Sequence, residues 1–109
     1  MSDTDSLSAA NALRGETSIT VSGRSFILRP SFTALVSAEA ELGSLFAMVE
    51  RASEGSLTVA EITGLLWYCI APDVRPERDM LGAAVLELGL VEAAKPVRAI
   101  FAQVLKGSS

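Results

Sequence analysis

The chain has 109 residues, enough for one domain and too few for two ordinary ones. Half of the residues are apolar, 20% are charged and mean hydropathy is +0.40, a composition that excludes a disordered chain. The net charge of −4 is concentrated between residues 31 and 61, where Glu39, Glu41, Glu50, Glu54 and Glu61 stand against Arg51 alone; no basic face appears, so nucleic acid is not an expected partner.

Residues 1–10 are rich in Ser and Asp and read as a flexible start. They carry no basic flank followed by an apolar run, so the reading is cytoplasmic rather than secreted. A domain is expected over residues 11–106. Its first element lies in "ETSITVSGRSFILRP", where two β-rich runs flank Ser22-Gly23, a turn signal. A two-residue loop there pairs Glu16 with Arg29, Thr17 with Leu28 and Ile19 with Phe26. The first pair is of opposite charge and the last sets a β-branched side chain on an aromatic ring, both favourable across strands. A lone hairpin is marginal in water, so this one must lean on other elements.

Everything after Pro30 reads as helix. Ser31 caps a first helix, with Phe32, Leu35, Val36 and Leu42 facing inward and Gly43 as its stop. Ser44 caps a second, with Leu45, Phe46 and Val49 inward and Gly55 as its end. Thr58 and Glu61 form a capping box for a third, from about Val59 to Ala71, which Pro72 stops. Pro76 suits the first turn of a fourth helix, whose stripe is Met80, Leu81, Ala84, Val85 and Leu88 and whose close is Gly89. Val97, Ile100, Phe101, Val104 and Leu105 repeat the pattern in a last helix. Pro96 is awkward inside a helix that begins near Val91, so a start near Lys95 or a kink is expected. The fold class is therefore mainly α (α+β), an N-terminal β-hairpin followed by four to five short helices in one compact domain.

The stretch "LLWYCIAP", Leu65 to Pro72, holds the only Trp, Tyr and Cys, inside an uncharged run from Ile62 to Pro72. That run is much shorter than the roughly 20 residues of a membrane span. Ile62, Leu65, Leu66, Cys69 and Ile70 form one apolar stripe on the third helix. Ala60, Gly64, Trp67 and Ala71 form another. A helix apolar nearly all round is covered on more than one side. It is either the centre of the domain or a core helix whose second side meets a partner. In the partner reading, the small residues below Trp67 leave a shallow groove that another helix could enter.

Chemistry-bearing patterns are scarce. The chain has no His and one Cys, which leaves no metal-ligand set and no internal disulfide. Cys69 on an apolar stripe reads as an inert structural thiol. The glycines form no phosphate-binding loop. Glu39 falls in line with the first helix's apolar stripe. It either reaches solvent at the edge of that stripe or caps the second helix near Leu45; a catalytic role lacks any partner acid, base or nucleophile. No enzyme activity, cofactor or metal is expected.

The layout resembles a known family. "NALRGE", a short hairpin, "LRPSFTAL", Glu39 followed by Gly43, "GSLTVAEI" and a late "ELGL" are similar to small tail proteins of gene transfer agents and related tailed bacteriophages of alphaproteobacteria, classed with tail assembly chaperones. The likeness spans residues 11–106 and rests on Leu13, Arg14, Gly15, Glu16, Leu28, Arg29, Pro30, Phe32, Glu39, Gly43 and Gly55. Residues 73–79 depart from it. The resemblance implies tail morphogenesis, with the protein coating apolar helical segments of the tape-measure protein in the bacterial cytoplasm and absent from the mature particle. The alternative is a structural tube component that stays in the particle. A third reading is an unrelated cytoplasmic helical enzyme or regulator; no residue pattern supports an enzyme, while a regulator that sequesters one helix would share the sequence features of the first reading. Expected partners are the tape-measure protein, other tail proteins and further copies of the chain, with no membrane. The residues expected to bind a partner are Phe46, Gly64, Trp67, Tyr68 and Ala71.

Overall fold

Alternation of apolar residues around Ser22-Gly23 produces a hairpin in the computed structural model, which describes residues 17–106. Strand β1 (Thr17–Val21) pairs antiparallel with β2 (Arg24–Leu28), with Thr17 opposite Leu28 and Ile19 opposite Phe26, the expected register. Ser22 and Gly23 both take positive φ (53° and 79°), as a tight primed turn requires. The expected flexible start and the Glu16 half of the Glu16–Arg29 pair lie outside the described residues. Ile19, Val21, Phe26 and Leu28 point to one face and are buried against the helices.

Five helices follow: α1 (Phe32–Leu42), α2 (Leu45–Ser53), α3 (Val59–Cys69), α4 (Arg78–Leu88) and α5 (Leu90–Lys106), with a single 3₁₀ turn at Pro72–Val74. Ser31 and Ser44 cap α1 and α2 as expected, accepting from the N–H groups of Ala34 and Ala47. The Thr58–Glu61 capping box opens α3 with both of its reciprocal bonds. Together the hairpin and helices make one compact body of mainly helical structure.

Helix α3 is its axis. Ile62, Thr63, Gly64, Leu65 and Leu66 are five consecutive residues out of water, and Cys69 and Ile70 continue the core. Helices α1, α4 and α5 and strand β2 all pack on it. Gly64 limits how closely α1 can approach, whereas Gly82 would tolerate a Cβ. A Cβ on Gly64 would sit 3.2 Å from the Leu42 side chain of α1, and one on Gly82 of α4 would meet Thr63 at 3.7 Å.

Several helix boundaries and faces differ from the sequence expectation. Helix α1 buries Ala34 and Ala38, not Phe32 and Val36; Phe32 is 84% exposed. Ala34 and Ala38 face the core with Leu35 and Leu42 packed beside them, as expected of those two leucines, while Phe32 and Val36 turn outward. On α2, Leu45 and Met48 are buried while Phe46 is 63% exposed. Helix α3 ends at Cys69 instead of Ala71, because Ile70 is already extended ahead of Pro72. Pro76 precedes the α4 cap residue Glu77 rather than entering the first turn, and of the expected α4 stripe Met80 and Leu88 are exposed. Helix α5 starts at Leu90 and runs through Pro96. One backbone bond is lost there, and burial of Ala93, Pro96, Val97, Ile100 and Phe101 offsets it. The last residue of its expected stripe, Leu105, is exposed.

Glu61 joins two elements. Its carboxylate accepts from the Thr58 N–H at 3.0 Å and from Arg51 of α2 at 2.7 Å. The Arg51 guanidinium, then the Thr58 backbone, hold its carboxyl down to about 2. The unfolded chain takes up that proton near 4.5, so the contribution is complete above that pH and is lost as pH falls toward 2. Glu61→Gln is expected to lower stability by about 1–2 kcal/mol at pH 7, with the difference from the parent vanishing near pH 2, measured by urea unfolding across pH. Thr63 gives the opposite sign. Its Oγ1 is buried with no hydrogen-bond partner, so Thr63→Val is expected to raise stability by about 1 kcal/mol in the same assay.

Candidate functional site

The apolar run that stands out in the sequence ends in a cluster of rings and cations. Trp67 and Tyr68, adjacent at the end of α3, meet edge to face with centroids 5.1 Å apart. Arg75 and Arg78, from the connection to α4 and its first turn, each lie 4.4 Å from the Trp67 ring centroid. The Trp67 indole N–H donates to the Pro76 carbonyl at 2.9 Å. Tyr68 Oη donates to Glu41 of α1 at 2.7 Å, and Arg78 donates to the same carboxylate at 2.6 Å. Those two bonds, Arg78 first, hold the Glu41 carboxyl below its ordinary value. Arg75 turns back to donate to the Ile70 and Tyr68 carbonyls, which otherwise lack partners at the helix end.

This cluster ties α1, α3 and α4 together, and it fills the place where a groove was expected. Gly64 is buried under Leu42, and Trp67 is half-buried among its own chain's side chains. Tyr68 and Ala71 reach a different hollow, described below. Phe46 stands exposed on α2. The five residues expected to bind a partner are therefore spread over three places. Cys69 is buried, and burial pushes its thiol up to about 12 despite the nearby Arg75 charge. Glu39 caps α2, accepting from the Leu45 N–H at 3.0 Å.

Two hollows stand out among the described residues. One is apolar and lies between the end of α2, the loop to α3 and the outer side of α5. Val49, Ala52, Leu57, Val97, Phe101 and Leu105 line a groove of about 520 Å³, with Arg98 and Lys106 at its rim. One wall is α5, and an apolar groove beside a long helix suits the apolar face of another helix. The other, about 550 Å³, runs along β2, the start of α1 and residues 68–75. Arg24, Arg29 and Arg75 line it, with Ser31, Thr33 and Ser37 and, among the described residues, no carboxylate. Neither hollow was expected. The α5 wall was half visible as the Val97–Leu105 stripe. The three arginines lie too far apart in sequence to signal a site.

Among the described residues no group of three Cys, Asp or Glu could hold a metal. No single helix is long and apolar enough to cross a membrane; α1 and α2 pass that test only jointly, bent by 74°.

A family model described as "Phage tail tube protein, GTA-gp10" matches residues 14–107, nearly the whole chain. No curated protein and no solved structure matches the chain.

The ring cluster predicts a structural cost. Trp67→Ala removes a half-buried ring, two stacked guanidinium contacts and one hydrogen bond. It is expected to destabilise the fold by about 2–4 kcal/mol in urea unfolding followed by far-UV circular dichroism, with Trp67→Phe costing about half as much. A loss below about 0.5 kcal/mol for Trp67→Ala would mean that the cluster does not hold α3 to α4.

Proposed function

The chain belongs to the phage tail tube protein, GTA-gp10, family, and we propose that it acts in tail morphogenesis as a protein-binding subunit retained in the tail tube. The observation that carries this is the family's description, matched from residue 14 to residue 107. The surface supports a protein that works through contacts with other chains. Phe32, Phe46 and Val91 are large apolar side chains left mostly in water, and an open apolar groove runs beside α5. Partners in this reading are other tail proteins and further copies of the chain, met in the bacterial cytoplasm as the tail is built. The work is assembly, and it requires no catalytic group.

A second reading rests on a specific feature. The fold is mostly helical, with two strands among the described residues, and its α5 groove is apolar with Arg98 and Lys106 on the rim. That shape suits transient cover of apolar helical segments, as in a tail assembly chaperone for the tape-measure protein. Net negative charge would keep such a loaded complex soluble.

Quantitative mass spectrometry of purified particles and of the producing-cell lysate separates the two. The tube reading expects many copies per particle, in fixed ratio to the other tail proteins. Abundance in lysate with near absence from particles would overturn it in favour of the chaperone. In that case Ala102→Glu, which sets a charge in the α5 groove, is expected to lower tape-measure solubility on co-expression while leaving the domain's own melting temperature within about 2 °C.

A further inference from the structure

The fold engages most of its cations and leaves two. Among the described residues, Arg51, Arg78 and Lys95 hold carboxylates and Arg75 holds the Ile70 and Tyr68 carbonyls. Arg24 lies over the Phe26 ring, and Arg29 is engaged as well. Arg98 and Lys106 are exposed and have no such partner. They stand eight residues apart on α5, about 12 Å at helical rise, and both line the apolar groove. Leu90 and Leu105, at the two ends of that wall, remain exposed. The opposite wall is α2, and its charge is reversed. The exposed Phe46 lies one turn ahead of the groove residue Val49 on the same stripe. Glu50 follows Phe46 by four residues and Glu54 follows Glu50 by four. Both are exposed, and among the described residues neither side chain has an ion-pair partner.

We infer that the groove receives α2 of a second copy of this chain, and that a two-fold axis makes the contact twice. Phe46 of each copy enters the groove of the other, with Glu50 and Glu54 toward Arg98 and Lys106. The occupant follows from charge. A helix without acids would leave both cations unpaired, and α5 of a second copy would set them against themselves. Helix α2 supplies an aromatic anchor and two available carboxylates on one short element. Because α2 and α5 wall the same groove, the patch is self-complementary, as a two-fold interface requires. Using it twice brings a small surface nearer the roughly 1,000 Å² that a specific interface needs. Apolar burial supplies the affinity, and the ion pairs set register and partner choice. The inference rests on the tube reading above, in which further copies of the chain are partners, and adds the surface and symmetry of their contact.

The test is sedimentation equilibrium of the full-length chain between about 1 and 300 µM, at low salt. The parent chain is expected to reach a dimer, twice its 11.4 kDa, and to go no further. Glu50→Arg and Arg98→Glu are each expected to weaken association at least about tenfold. Both side chains are exposed, so the melting temperature is expected to stay within about 2 °C of the parent's. Mixed in equal amounts, the two variants are expected to associate within about threefold of the parent, because the reversed charges then face each other and the native ones do the same. Phe46→Ser, which removes the apolar anchor, is expected to weaken association at least about tenfold and is not rescued by mixing. Single variants that associate as the parent does, or a mixture that recovers nothing, would overturn the proposal. A parent chain still monomeric at about 300 µM would overturn it and leave the groove to another protein's helix. Growth beyond the dimer would overturn the two-fold contact in favour of a head-to-tail one. Particle composition decides tail membership and this measurement decides the interface, so each can fail alone.

Discussion

A helix buried on all sides must be covered on all sides, and the rest of this fold is the cover for α3. Ile62 to Leu66 are out of water without a break, so no single neighbour can hide them. Helix α1 closes one side, where Gly64 leaves room for Leu42, and α4 closes another, where Gly82 faces Thr63. Helix α5 and the hairpin supply the remaining cover. The hairpin could not stand alone, and its inner face of Ile19, Val21, Phe26 and Leu28 is part of the same continuous core. The buried Thr63 hydroxyl sits at this contact, facing Gly82 of α4.

The ends of α3 are held by charge, in different ways. At its start the Glu61 carboxylate serves the capping box and the Arg51 guanidinium together, so α2 is tied to the helix it precedes. At its end the freed carbonyls are taken by Arg75, whose guanidinium also covers the Trp67 ring. A cation at a helix C-terminus interacts favourably with the helix dipole as well as with individual carbonyls. The same Arg75 then forms a wall of the cationic groove. Surface charge in that groove is thus a by-product of how α3 is terminated, which fixes its position more firmly than a free side chain would.

What could be read from the sequence was local. The hairpin register follows from a two-residue loop and alternating residues, and the Ser31, Ser44 and Thr58 caps follow from side chains that reach three residues ahead. The Glu39 cap on α2 was one of two open readings, because it depends on the turn between two helices. Facing was less readable. Phe32 and Val36 look inward on periodicity, yet Ala34 and Ala38 make the contact, since small residues bring the α1 and α3 backbones together. Pro96 argued for a late start to α5 on local cost, and the burial gained along the whole helix outweighed it. The site was the least readable part. Trp67 announced itself by composition, but its two arginines come from a connection whose path no local rule sets. The cationic groove collects Arg24, Arg29 and Arg75 from three segments that only the tertiary fold brings together.

The surface left over after α3 is covered explains why a protein of this size works with others. A chain of 109 residues buries a limited share of its surface, and this one spends its apolar side chains unevenly. Alanines and glycines line much of the α1 and α4 contacts with α3, while Phe32, Phe46, Leu86 and Val91 remain in water. A monomer selected only for solubility would reverse that allocation. The apolar groove on α5 and the hollow lined by Arg24, Arg29 and Arg75 differ in chemistry, so the chain presents two unlike surfaces to its neighbours.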